Sequence, residues 1–352
     1  MIIVFLLAVY LIVFIGTVPI VALLIRRRYP ESKRIYKTAL LYSAFITFIY
    51  FVCISIFRLY SFEILRFFYF YLWFISVGFY IALIYRIVEK ITQRRFSVIP
   101  YLVLIVALCI YWIWNFYRPI PITTLDIVSE KITAPVTFTL LWDIQYWSTT
   151  KAYMNRVIKR VNELASDYSI LVWDLIDFDL YNREDFEILH TLQAPMFFVT
   201  WNHEYYHESS RILSYLSDYE QLIILDDEQY FLDDYNIVLT WLDYRHHNAS
   251  TFEDTVIRLR PEEDRYAIFL NHIPEKVRFT AEQWFDLLLY WHTHAWQLFP
   301  YNLLIRVIYP YGIWKSRIGE SIVYTTAWAW LWWPRMRVWT NNEIVVIRLF
   351  PE

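Results

Sequence analysis

Glycine is nearly absent from this chain. Among 352 residues there are 4, Gly16, Gly78, Gly312 and Gly319, where a globular chain of this length carries about 25. Lacking a Cβ, glycine enters the left-handed backbone region at little steric cost, and tight turns and close backbone approaches use it for that reason. A chain with so few has to turn with residues that resist turning. Tryptophan departs in the opposite sense, at 17 residues. Both counts need one explanation.

The first third of the chain is apolar. Four segments stand out: Ile2 to Ile25, about Ile35 to Phe57, about Ile64 to Tyr85, and about Val98 to Tyr117. Each is near the ~20 residues that cross a bilayer. The first is too long for the apolar region of a cleaved signal peptide and has no basic stretch before it. None shows the polar face that a core helix of a soluble protein presents to water. The expectation is four N-terminal transmembrane helices.

Basic residues set their orientation. The first loop reads "RRRYPESKRIYK" and the third "RIVEKITQRR", while the second carries Arg58 and Arg66 offset by Glu63. Positive loops stay in the cytoplasm. Both termini and everything after Tyr117 are then expected outside it, in a multi-pass protein of the cell membrane. Tyr111, Trp112, Trp114 and Tyr117 fall in the outer aromatic belt. Cys53 and Cys109 lie inside apolar stretches and read as buried thiols that do not report the redox compartment. The net charge of -3 argues against a general nucleic-acid binder.

After "RPIPITT" the texture changes. Residues 118–135 read as a linker and first strand, and 136–352 as an α/β domain. "VTFTLLW", "YSILVW", "MFFVTW", "NIVLTWLDY", "YAIFLNH", "DLLLYW", "SIVYTTAW" and "EIVVIRLF" are apolar and β-branched, as strands are. "KAYMNRVIKRVNELA" places Met154, Val157, Ile158, Val161 and Leu164 on one helical face. "EDFEILHTL" and "SSRILSYLSDY" also read as helices. Strands alternating with helices imply an α/β layered sheet.

Polar residues gather just past the strand ends. In order they are Asp143 and Gln145 in "WDIQ", Asp174 and Asp177 in "WDLID", Asn202 and His203 in "WNHE", His272 in "NHIPE", and His292 and His294 in "WHTH". Open α/β sheets build their sites at the carboxyl ends of strands. One aspartate after a strand is ordinarily a turn residue or a cap, and one H-x-H is ordinarily a surface pair. Five such clusters in consistent order point to a metal site. Mixed oxygen and imidazole donors suit Mn, Fe or Zn, and two such ions can share a carboxylate.

This ordered set resembles the calcineurin-like metallophosphoesterases, whose pattern runs D-x-H, G-D-x-x-D, G-N-H-E/D, a lone H, then G-H-x-H. The match spans about Val136 to Leu349 and is most similar to the membrane-anchored bacterial branch, through "HTHAWQLFP" and "TTAWAWLWWP". The resemblance implies a four-layer αββα sandwich. It also implies two divalent metal ions (Mn, Fe or Zn), the first held by Asp143, Gln145 and His294 and the second by Asn202, His272 and His292. Asp174 would bridge them, and His203 would stand beside the leaving group as general acid. Gln145 departs from the pattern, which has histidine there. A glutamine carbonyl is a weaker and harder donor, which puts the first ion's identity and occupancy in question.

Where the family pattern has glycine, this chain has Trp173, Trp201 and Trp291. Trp147, Trp241, Trp296, Trp328, Trp330, Trp332, Trp333 and Trp339 also stand where a turn glycine is natural. One reading covers both counts: many of these codons are UGA, read as glycine by the source and as tryptophan in this translation. The other reading is a divergent protein that replaced its glycines. Under the first, an indole before Asp174, Asn202 and His292 crowds a cleft shaped for glycine, and the chain as written is expected to fold poorly and be inactive.

The function expected is a membrane-anchored phosphohydrolase in which a metal-bridging hydroxide attacks phosphorus and His203 protonates the departing oxygen. A site tethered near the outer leaflet favours a lipid-linked phosphoester. The apolar, aromatic stretch "QLFPYNLLIRVIYPYGIWKSR", with Arg306, Lys315 and Arg317, fits headgroup or phosphate contact and fits a packed cap over a sheet edge equally well. No residue is assigned to the substrate and no protein partner is expected. The alternative is a membrane-anchored binding module on the same fold that lost turnover, a reading Gln145 favours. A four-helix transporter fits less well, because the apolar segments carry almost no internal charge.

Overall fold

The structure, a computed structural model, describes residues 14–15, 17–22, 24–26, 29, 34–57, 62–142, 151–172, 183–199, 209–246, 249–291, 293, 307–312, 314–326 and 343–352, with backbone alone at 51, 53–57, 62–76, 112, 116, 142, 172, 209 and 244. One compact unit runs to Tyr117, and a second, from Arg118 on, holds every strand.

The first unit is helical, with helices Ile35–Phe57, Phe62–Thr92 and Val98–Tyr117. The last two pack through buried Ala82, Val98, Tyr101, Ile105 and Cys109. Gly78 lies at this contact and also close to Ile20. The Tyr101 hydroxyl donates to its carbonyl at 3.0 Å, and a Cβ on Gly78 would stand 2.9 Å from Ile20 Cδ1. Among the described residues one helix, Val98–Asn115, is long and apolar enough to cross a membrane, rather than the four expected. The expectation counted apolar runs alone. In the structure the first run lies largely outside the described residues, and helices Ile35–Phe57 and Phe62–Thr92 have described side chains over only part of the second and third runs.

The second unit is an α/β domain with two mixed six-stranded sheets. The first has the order β1-β12-β2-β3-β4-β5, with β1 Ile122–Ser129, β2 Val136–Trp142, β3 Tyr168–Val172, β4 Met196–Val199, β5 Leu222–Leu225 and β12 Ile344–Pro351. Strands β2 to β5 are mutually parallel. The second has the order β10-β11-β9-β8-β7-β6, with β6 Gln229–Leu232, β7 Ile237–Trp241, β8 Tyr266–Leu270, β9 Leu287–Tyr290, β10 Trp314–Ile318 and β11 Ser321–Thr325. Here β7, β8, β9 and β11 are parallel. Parallel strands are covered on both faces and read as continuous apolar runs. Accordingly every residue of β4, β7, β8 and β9 is buried.

Side chains alternate between the two faces of a strand, and the second sheet uses both. Val238, Ala267, Phe269, Leu288, Tyr290 and Val323 form one cluster with Phe252, Val256 and Val277 from helices Phe252–Arg258 and Val277–Ala281. The opposite face meets the first sheet: Tyr230, register partner of Leu239, lies 4.9 Å from the Phe197 ring of β4, edge to face. Thr133, just before β2, hydrogen-bonds through its amide to the Tyr235 carbonyl at 3.3 Å, just before β7. A buried carboxylate also joins the sheets. Glu343 accepts from Thr123 of β1 at 2.6 Å and from Thr326, just past β11, at 2.7 Å.

Helix Lys151–Leu164 forms as its pattern predicts and buries Tyr153, Met154, Val157, Ile158 and Val161. The stretch "EDFEILHTL", expected as one helix, instead makes two short 3-10 turns, Arg183–Asp185 and Glu187–Thr191. It is too short to offset the cost of helix nucleation, and Phe186 between the turns supplies no side-chain cap.

Candidate metal site at the strand ends

The parallel strands of the two sheets end at a common edge. Asp226 and Asp227 follow β5 of the first sheet, and Asp243 lies two residues past β7 of the second. Their carboxylates come within 4.8 Å of one another. That contact requires the carboxyl ends of both sheets to face the same way. Such an edge is where α/β sheets gather functional side chains.

The acidic cluster was not singled out from sequence, although "LDDE" and "WLDYRHH" follow strands just as the other motifs do. Among the described residues it is the one group of three side chains with metal-ligating atoms so close together. Its charge is already met from within the chain. The Arg245 guanidinium contacts Asp226, donates to Asp243 Oδ1 at 2.7 Å, and stands 3.4 Å from Asp227. His246 Nε2 lies 2.8 Å from Asp227 Oδ2, and Asp227 Oδ1 accepts from the Asp243 amide at 2.8 Å. Desolvation raises the Asp226 carboxyl above the usual carboxylate range; Asp243 and Asp227 add to the rise and Arg245 opposes it. The cluster works as a knot between two strand ends.

His272 stands on the same edge, two residues past β8, and is 1% exposed. Asn271 turns the chain there: its amide donates to the Leu289 carbonyl at 3.1 Å and its side-chain oxygen accepts from the Ile273 amide at 3.3 Å. The His272 carbonyl accepts from the Trp291 amide at 3.1 Å. The imidazole meets the Trp291 indole edge to face, centroids 5.7 Å apart. Trp291 in turn stacks on Trp241 at 5.8 Å and 12°. These three residues continue the alternation of β7, β8 and β9 on the face turned toward the first sheet.

Thr293, between the two histidines of "HTH", is 1% exposed and its hydroxyl donates to the Gly312 carbonyl. Gly312 suits this close approach, since a Cβ there would lie 3.1 Å from Thr293 Cγ2 and 2.7 Å from Tyr309 Cβ. The centre of the motif is thereby pinned. Of the residues expected at the site, His272 alone falls among those described. Asp143, Gln145, Asp174, Asn202, His203, His292 and His294 lie outside them. Each nonetheless follows β2, β3, β4 or β9 by one to four positions in the chain.

A two-sheet α/β domain with its parallel strands ending at one edge is a scaffold for a cleft-edge site. No family model matches the chain, but individual proteins do. An uncharacterised metallophosphoesterase of Helicobacter pylori strain 26695 is 30% identical over 282 residues, covering 75% of each chain. Its counterpart in strain J99 is 29% identical over 235 residues, covering 64% of this chain and 63% of its own length. A transmembrane protein with metallophosphoesterase domain from Danio rerio is 26% identical over 285 residues, covering 70% of this chain and 61% of its own. The chain belongs to the metallophosphoesterase family.

Proposed function

We propose that the protein is a membrane-anchored, metal-dependent phosphohydrolase on a calcineurin-like αββα sandwich. The observation that carries this reading is the shared edge, where the ends of β5 and β7 meet and His272 stands buried past β8. An imidazole there, turned toward the first sheet, fits a ligand role opposite donors that follow β2, β3 and β4. The donor set of carboxylates, carboxamides and imidazoles fits two ions of the Mn, Fe or Zn type. When bound, such ions supply Lewis acidity to a water and to the phosphoryl oxygens. Asp143, Gln145 and His294 would hold one ion, Asn202, His272 and His292 the other, with Asp174 shared. His203 would hold a proton at the leaving oxygen and release it as the ester bond breaks.

Anchoring is supported by helix Val98–Asn115, which the chain follows within a few residues by β1. It is supported too by the transmembrane relative. The basic first and third loops favour a catalytic domain outside the cytoplasm, beside an outer leaflet where a lipid-linked phosphoester would be within reach. The test is hydrolysis of an aryl phosphate and a phosphodiester by the purified full chain with glycine at positions 173, 201, 241 and 291, with and without a chelator, and by Asp174→Ala in that chain. Activity that survives chelation or the substitution sinks the proposal. Metal uptake with no hydrolysis of either substrate would favour the binding-module reading that Gln145 raises.

A further inference from the structure

Among the described residues, seven other than glycine adopt a left-handed backbone: Gln93, Ala165, Asp227, Asn236, Lys276, Trp284 and Trp314. Asparagine and aspartate do this readily, whereas bulky side chains do so only under strain. Trp284 has φ 70° and Trp314 φ 58°, close to the 57° of Gly319. Neither indole is compensated by burial, since Trp284 is 43% and Trp314 52% exposed. Trp284 turns the chain from helix Val277–Ala281 into β9, and Trp314 opens β10. At both places the backbone has the form that glycine takes and the side chain is a bulky one that rarely adopts it.

The two other tryptophans of this domain whose side chains are described sit in the opposite surroundings. Trp241 and Trp291 are fully buried, the two largest such side chains in the described part of the chain. Their stack lies on the inner face at the carboxyl edge, directly against the His272 ring. Two indoles there fill the space into which an imidazole ligand and a substrate would have to reach.

We propose that positions 241, 284, 291 and 314 hold glycine in the protein its own cells make, the codon rendered here as tryptophan being read there as glycine, and that the volume of the Trp241–Trp291 stack is an open cleft beside His272. The backbone at 284 and 314 supports the glycines without reference to any relative. The count of 4 glycines against 17 tryptophans supports a systematic cause over four separate replacements. The cleft rests additionally on the reading of His272 as a ligand, and the experiment separates the two.

The gene is sequenced at the four codons, and tryptic peptides of the native protein are weighed. TGA codons with peptides lighter by the difference between an indolylmethyl group and a hydrogen are expected; TGG codons would overturn the proposal. In parallel, the full chain as written is compared with Trp284→Gly/Trp314→Gly and with a sixfold variant that adds Trp173→Gly, Trp201→Gly, Trp241→Gly and Trp291→Gly. The exposed pair of substitutions should raise the melting temperature, and the sixfold variant should also take up Mn²⁺ that the written chain does not. A written chain that melts as high as the exposed-pair variant would count against the glycines. A sixfold variant that is stabilised yet takes up no Mn²⁺ would leave the glycines standing and overturn the cleft.

Discussion

The imidazole of His272 and the indole of Trp291 meet edge to face at 84°, while the Trp291 amide donates to the His272 carbonyl at 3.1 Å. Backbone and side chains together lock the end of β8 to the end of β9. The peptide contact does not depend on the imidazole, so removing the ring should spare the fold and affect what the ring binds. In a chain carrying glycine at positions 173, 201, 241, 284, 291 and 314, His272→Ala should lower the bound divalent metal from about two ions per chain to about one. Elemental analysis of the dialysed protein reads this directly. Unchanged metal content would remove His272 from the ligand set.

His203 is assigned the opposite behaviour. A general acid that does not ligate can be lost without losing metal. His203→Ala should keep its metal content and lose turnover by about 10²–10⁴-fold. The loss should shrink on aryl esters with acidic leaving groups, which depart without a proton. Equal losses on acidic and basic leaving groups would show that His203 acts in some other way.

Arg245 holds three carboxylates from two sheets, and its own side chain is 52% exposed while that of Asp243 is fully buried. Arg245→Ala would take the guanidinium away from Asp243 and leave three carboxylates together without their shared cation. Loss of such a charged hydrogen-bonding partner costs about 1–3 kcal/mol, and the exposure of the guanidinium places this case near the lower end. Lysine should restore little, since one ammonium cannot reach three partners as a planar fork does. Because the carboxyl of Asp226 is already raised, the penalty should be larger at pH 7 than at pH 4, where protonation relieves the repulsion. Melting curves of the variant at the two pH values check the sign.

Much of the domain was legible in the sequence because buried parallel strands leave a signal that survives without context. "YAIFL" and "LLLY" are apolar at every position, and they are β8 and β9. The amphipathic face of Lys151–Leu164 was equally plain. Short, half-buried strands such as β6 and β10 were not, because Gln229–Leu232 and Trp314–Ile318 alternate too briefly to stand out from loop. The knot of Asp226, Asp227, Asp243 and Arg245 was illegible for a different reason. It joins the ends of β5 and β7, in different sheets, and periodicity along one strand says nothing of which strands end together. The tryptophans show a third kind of gap. Sequence flagged Trp241 and Trp291, but Trp284 and Trp314 became conspicuous only through their backbone angles.

The edge of the first sheet offers a test by pH. Asp126 on β1 and Arg348 on β12 are register partners, joined by two parallel hydrogen bonds of 2.7 Å from the guanidinium Nε and Nη2. The Arg348 hydrogen bond is the leading cause that holds the Asp126 carboxyl below its ordinary range. A carboxyl lowered on folding contributes stability that is fully present above the unfolded value of about 3.9 and is lost as pH falls through the folded value. Asp126→Asn removes the ionisable group and so removes this dependence. The melting temperatures of the parent and of Asp126→Asn should therefore differ at pH 7 and converge below pH ~4. Both partners are about half exposed, so the difference should be small and should shrink in high salt. A gap between the two proteins that persists at the lowest pH would mean that the substitution acts through packing of β1 on β12 and not through the ion pair.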